Sequence, residues 1–140
     1  MMPLVRSACL IAVLLSAGCG SRGPNIYPVT GEVAFEDGVM LQGGLVEFSS
    51  AEQEMSATAR IGPDGHFRLT TIKDGDGAVA GVHRAIVITT YGNDLIQHHH
   101  DAKTLRRAAK KFANYASSGL KFTVRPGEKN HFRVVVERAK

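Results

Sequence analysis

Three consecutive imidazoles, His98-His99-His100, followed by Asp101, are the side chains with the most evident capacity for chemistry. Imidazole nitrogen is the commonest protein ligand for transition metals, so the run predicts affinity for zinc or copper. Its spacing suits a built site poorly, because adjacent side chains point in different directions, whereas a defined zinc centre draws ligands from several separated positions. His66, His83 and His131 fall on expected strands and would assist only if the fold carried them to one sheet face. The plainer reading of His98, His99 and His100 is a solvated loop; a metal site on them is the alternative. Asp74-Gly75-Asp76-Gly77 resembles the opening of a calcium loop, yet the later carboxylates and closing Glu of that pattern are missing, and the next acid is Asp94. It reads as a turn. There is no Gly-x-Ser-x-Gly turn, no cysteine placed to pair with a histidine and no spaced His-Glu metal motif. No catalytic residue and no cofactor is therefore assigned, and the chain is not expected to be an enzyme.

The second group with chemical potential is basic. Lys103, Arg106, Arg107, Lys110 and Lys111 lie within nine positions, and Leu105, Ala108, Ala109, Phe112 and Tyr115 fall near helical spacing among them. Ala102 to Tyr115 is thus expected to form an amphipathic helix whose apolar stripe caps a core and whose cationic face meets solvent, anionic head groups, envelope polymer or an acidic envelope protein. Nucleic acid is not an expected partner, since no aromatic-rich recognition motif accompanies the charges.

The third is Cys19. Before it come Arg6, the apolar run Ala8-Cys9-Leu10-Ile11-Ala12-Val13-Leu14-Leu15 and the small residues Ser16-Ala17-Gly18, which is the three-part pattern of a secretory signal peptide. As a helix, the stretch from Ala8 to Ala17 covers about 15 Å, half of a bilayer's hydrocarbon core, so it engages an export machine without anchoring the chain. Leu15-Ser16-Ala17-Gly18-Cys19 resembles the lipobox of bacterial lipoproteins, with Ser16 where that pattern usually has Leu and Leu15 one step further out. The resemblance implies acylation of Cys19, for which palmitate is a typical chain, and cleavage after Gly18. One acyl chain holds a protein only marginally whereas several hold it stably, which is the physical logic of such an anchor. Gly20, in place of an Asp, implies by the same resemblance placement at the outer membrane or its periplasmic face. The alternatives are an ordinary signal peptide with an incidental cysteine, and a secreted domain without lipid. Residues 1–18 are accordingly expected as signal peptide and 19–27 as a Gly-, Ser- and Pro-containing tether. Cys9 would leave with the signal and Cys19 would carry lipid, so no disulfide is expected. The remaining chain keeps 16 Lys and Arg against 13 Asp and Glu, a formal charge of +3.

The elements that must position these groups are short. Residues 28–140 show period-two alternation broken by Gly-rich turns, the pattern of sheets with one buried face. Seven strands are expected: Tyr27 to Phe35, Leu45 to Ser50, Ser56 to Ile61, His66 to Thr71, Val82 to Tyr91, Leu120 to Arg125 and His131 to Arg138. Gly62-Pro63-Asp64-Gly65 is expected to close the third and fourth into a hairpin. Ala85-Ile86-Val87-Ile88 is apolar on both alternating sets, which places the fifth strand centrally. Between the fifth and sixth, 92–118 is a basic, His-containing insertion. The expectation is an all-β, seven-stranded antiparallel β-sandwich with a short helical insertion. At 140 residues, with 44% apolar and 21% charged, this is one domain. No apolar run approaches the roughly 20 residues of a membrane-spanning helix, which argues against an integral membrane protein.

Val29-Thr30-Gly31-Glu32-Val33, Asp37-Gly38, Gly43-Gly44-Leu45-Val46-Glu47-Phe48, Asp64-Gly65-His66-Phe67-Arg68-Leu69 and Asp74-Gly75-Asp76-Gly77-Ala78-Val79-Ala80-Gly81 follow one another in an order that resembles the carboxypeptidase regulatory-like, or transthyretin-like, β-sandwich of small bacterial lipoproteins. Phe112-Ala113-Asn114-Tyr115 before Ser118-Gly119-Leu120-Lys121-Phe122-Thr123-Val124 resembles that family's closing segment. The likeness runs from about Val29 to Glu137. It implies a non-catalytic structural, accessory or binding module, transfers no catalytic residue, and leaves the oligomeric state open. The basic, His-containing segment departs from the family's short connection at this point.

Overall fold

The structure, a computed structural model, describes residues 23–89 and 107–140. Cys19, His98, His99, His100, Lys103 and Arg106 lie outside the described residues. Within them the regular structure is mostly β, with almost no helix. The strands are β1 (Ile26–Tyr27), β2 (Val29–Phe35), β3 (Leu45–Ser50), β4 (Met55–Arg60), β5 (His66–Arg68), β6 (Ala78–Val79), β7 (Gly81–Ile88), β8 (Leu120–Val124) and β9 (Asn130–Val136). They form a two-stranded ladder β1-β6, a three-stranded sheet β5-β2-β9 and a four-stranded sheet β4-β3-β7-β8. No helix among the described residues is long and apolar enough to cross a membrane.

Alternation decides the faces. Val29, Val33 and Phe35 of β2 and Val134 and Val136 of β9 are buried from one sheet; Val46 and Phe48 of β3, Ala57 and Ala59 of β4, and Ala85 and Val87 of β7 are buried from the other, all in a single core cluster. Phe48 joins the sheets: its ring stacks on Phe122 at 4.9 Å between centroids and lies 6.1 Å from Phe67 and 5.9 Å from Phe132 across the interface. Complete burial of a ring of this size contributes about 2 to 3 kcal/mol. Gly31 makes room for it all, since a Cβ there would stand 2.3 Å from the Phe132 carbonyl oxygen and 2.4 Å from the Phe67 ring.

Several expectations are corrected. The expected first strand divides at Pro28, which has no N–H to continue a ladder, so β1 pairs with β6 and β2 with β5 and β9. Gly62 to Gly65 does turn, with Gly65 N–H donating to Gly62 O at 3.0 Å, but β4 and β5 belong to different sheets, so the turn is a crossover. Only an isolated bridge, Thr58 to Thr70, links the two arms. The architecture is not wholly antiparallel: β2 and β9 pair in parallel from Val29↔Asn130 to Phe35↔Val136. The amphipathic helix fails over its described part. Ala108 forms an antiparallel bridge with Arg138, and only a 3₁₀ turn, Lys110–Ala113, follows. Helix propensity is worth tenths of a kcal/mol per residue, less than each of the two backbone bonds made here, Ala109 N–H to Glu137 O and Ala139 N–H to Arg107 O, both 2.8 Å.

Candidate functional site

The strand directions give the molecule two distinct poles. β1 enters beside β6, and the β3–β4 turn reaches the same end, where Gln53 Nε2 donates to Ala80 O at 2.7 Å. β2 and β9 run parallel away from that pole. At the far pole Phe35, Val136 and the end of β7 come together with the segment from Arg107 onward. Arg107, Lys110 and Lys111 therefore stand opposite the end at which the chain enters from Gly23.

At this far pole the bridge between 107–109 and 137–139, the 3₁₀ turn and the end of β7 enclose a cavity of about 410 Å³. Val87, Ala109, Ala113 and Ala139 supply apolar wall, and Thr89, Arg107, Lys110 and Lys140 supply the polar part. No Asp or Glu among the described residues lines it. Phe112 turns inward to the core and fixes the turn that carries Lys110. Lys111 behaves differently: its ammonium pairs with the Glu137 carboxylate and sits 5.1 Å from the centroid of Phe112. The cations expected on one helix face are thus separated, with Arg107 and Lys110 on the cavity and Lys111 held in an ion pair. Sequence reading missed Lys140 and Thr89, which reach the cavity only through the β9 and β7 ends.

The remaining polar clusters are structural in their geometry. Asp76 accepts backbone N–H bonds from Thr71 on Oδ1 at 2.7 Å and from Ile72 and Lys73 on Oδ2 at 3.0 and 2.8 Å. Partial burial opposes its charge, but these donors prevail and hold its carboxyl below the ordinary carboxylate value. Both oxygens are engaged in shaping the loop, which fits the turn reading. Gly77 in that loop has φ +107°, and a Cβ there would fall 1.8 Å from the Tyr27 carbonyl oxygen.

On the outer face of the four-stranded sheet, Tyr115 Oη donates to Glu47 Oε1 at 2.5 Å, and the Arg84 guanidinium lies 5.5 Å from the Tyr115 ring centroid. Burial, reinforced by the Glu47 carboxylate, pushes the Tyr115 phenol up to about 12. The group is a protonated clamp near neutrality. On the outer face of the three-stranded sheet, Glu32 stands between Arg133 at 3.0 Å and His66 at 3.7 Å, while Thr30 Oγ1 and His131 Nδ1 are 2.9 Å apart. His66 and His131 flank β2 on opposite sides, and His83 points into the core from the other sheet. The three histidines do not converge, and no cluster of three or more His, Cys, Asp or Glu among the described residues is placed to hold a metal ion.

Comparison with protein-family models, with curated proteins and with solved structures found no match.

Proposed function

We propose that the chain is an exported, lipid-anchored envelope module that binds rather than catalyses, attached through Cys19 and displayed on a short tether. The observation that carries this is Leu15-Ser16-Ala17-Gly18-Cys19 behind the apolar run from Ala8, which joins an export signal to an acylation site. The all-β body supports it, with its three- and four-stranded sheets taken as a transthyretin-like sandwich of the carboxypeptidase regulatory-like kind. Entry of the chain at one pole and the cation-lined cavity at the other give such a module an attached end and a displayed end. At about 3.5 Å per residue, the seven residue steps from Cys19 to Ile26 keep the entry pole within about 25 Å of the anchor.

Intact mass spectrometry of the envelope-fraction protein beside Cys19→Ala tests the reading. A mass matching cleavage before Cys19 plus acyl chains, with membrane retention lost in the variant, is the expected result. An unlipidated mature chain in the soluble fraction would overturn it. Zinc or copper titration separates the module from a metal-binding protein: submicromolar, stoichiometric binding abolished by replacing His98, His99 and His100 with Ala would assign metal capture instead.

A further inference from the structure

On the outer face of the four-stranded sheet, toward the entry pole, Ser49, Ala51, Glu52, Val82, Arg84 and Lys121 line a depression of about 290 Å³. All six lie within the described residues, and none is a chain end. Strand register places them: Ser49 lies opposite Arg84 across β3 and β7, and Arg84 lies opposite Lys121 across β7 and β8. His83 takes the core side of β7, so Val82 and Arg84 face outward, and Val82 is 56% exposed. Past the end of β3 the chain turns, with Gln53 N–H donating to Ser50 Oγ at 3.3 Å and Gln53 Nε2 donating to Ala80 O at 2.7 Å. The turn holds Glu52 against the start of β7, where a Cβ on Gly81 would stand 3.6 Å from Glu52 Oε2.

The charges of this lining are not spent on one another. Like charges directly opposite destabilise a sheet, yet Arg84 and Lys121 are so paired, and neither meets a carboxylate among the described residues. Glu52 lines the same depression and joins no ion pair among those residues either. Arg84 stacks on the Tyr115 ring instead, 5.5 Å from its centroid. Opposite charges that line one space without joining suit a ligand that carries both. Val82 and Ala51 add an apolar patch beside them, on which each buried methylene contributes about 0.8 kcal/mol. The volume is at the small end of the usual range for small-molecule sites, which suits a ligand of a few heavy atoms.

We infer that this depression binds a free α-amino acid with an aliphatic side chain, Arg84 and Lys121 meeting its carboxylate, Glu52 its ammonium, and Val82 and Ala51 its hydrocarbon. The site goes beyond the module reading and does not depend on Cys19 being acylated.

The test is titration of the full 140-residue chain with L-leucine, followed by methyl resonances of Val82 and Ala51 and by calorimetry. Isocaproate is leucine without its ammonium, and isopentylamine is leucine without its carboxylate. Leucine should saturate at one per chain and bind at least threefold more tightly than either analogue. Glu52→Gln should weaken leucine about threefold and leave isocaproate no weaker, as loss of a partly exposed charge does. Lys121→Gln should weaken leucine to a similar extent and leave isopentylamine no weaker. That crossed pattern separates recognition of charge from a disturbed fold, which would weaken all three ligands together. The methyls of Ile72, exposed outside the depression, should not shift. Absence of saturation, an analogue that binds as tightly as leucine, equal weakening of all three ligands in the variants, or Ile72 shifts matching those of Val82 would overturn the site. Loss of lipidation in the Cys19 experiment leaves all these outcomes unaffected.

Discussion

His83 places an ionisable ring where a core side chain belongs. It is 1% exposed, lies 6.2 Å from the Phe48 centroid, and has Nδ1 3.1 Å from Gly81 O. Burial disfavours its cation and lowers its pKa, against a smaller opposing contribution from the Gly81 carbonyl. Between the lowered folded value and the unfolded value near 6.5, the unfolded chain binds more protons, so stability is full above pH 6.5 and falls as pH drops through that window. Urea unfolding from pH 8 to 5 should show this decline, and His83→Gln should remove it; an identical slope in the variant would refute the assignment. Tyr115 works at the other extreme. With its phenol raised to about 12, its contribution is intact below about pH 10 and is lost as pH rises through the folded value. Ultraviolet titration should therefore show one tyrosine ionising late, and Tyr115→Phe should abolish that step.

At the scale of elements, the stretch from Arg107 to Tyr115 is the instructive one. Its spacing of Ala108, Ala109, Phe112 and Tyr115 suits a helix, yet Ala109 has φ −59° and ψ 143° and extends the chain alongside 137–139. Phe112 still reaches the core, so the apolar periodicity was legible while the backbone that delivers it was not. Backbone chemical shifts and amide exchange separate the two possibilities. Ala108 and Ala109 should show extended-type Cα and Cβ shifts, and the Ala109 and Ala139 N–H groups, bonded to Glu137 O and Arg107 O, should be protected from exchange. Helical shifts running without a break from Arg107 to Tyr115 would restore the helix. The β4–β5 connection teaches a related lesson: Pro63, Asp64 and Gly65 specify a tight turn, but a turn does not dictate that its two arms share a sheet.

At the scale of the molecule, the parallel pairing of β2 with β9 ties the first long strand to the last and gives the body its polarity. β2 is the centre of its sheet, and β3 and β7 are the centre of theirs. Native-state hydrogen exchange should find the slowest amides in β2, β3 and β7, opening only with global unfolding, and faster exchange in β1 and β6, which hold just two residues each. Comparable protection in β1 and β7 would contradict this hierarchy.

Local information settles local matters. Period-two alternation and turn chemistry determined from the sequence alone that the body is all-β, where β3 runs, which residues of β2 and β3 face inward, that the strand holding Ala85-Ile86-Val87-Ile88 is central in its sheet, and that Asp74 to Gly77 is a turn, because each depends on neighbours a few positions apart. The apolar run before Cys19 is equally local, and the export and acylation reading rests on it. Tertiary structure alone decided that β2 and β9 run parallel, that β4 and β5 part into different sheets, and that Lys110 and Lys140 come to one cavity. An alternating strand carries the same pattern whichever partner it takes and in whichever direction. The choice is made by the shared core around Phe48 and by backbone groups distant in sequence, such as those of Arg107 to Ala109 and Glu137 to Ala139, that hydrogen-bond to one another.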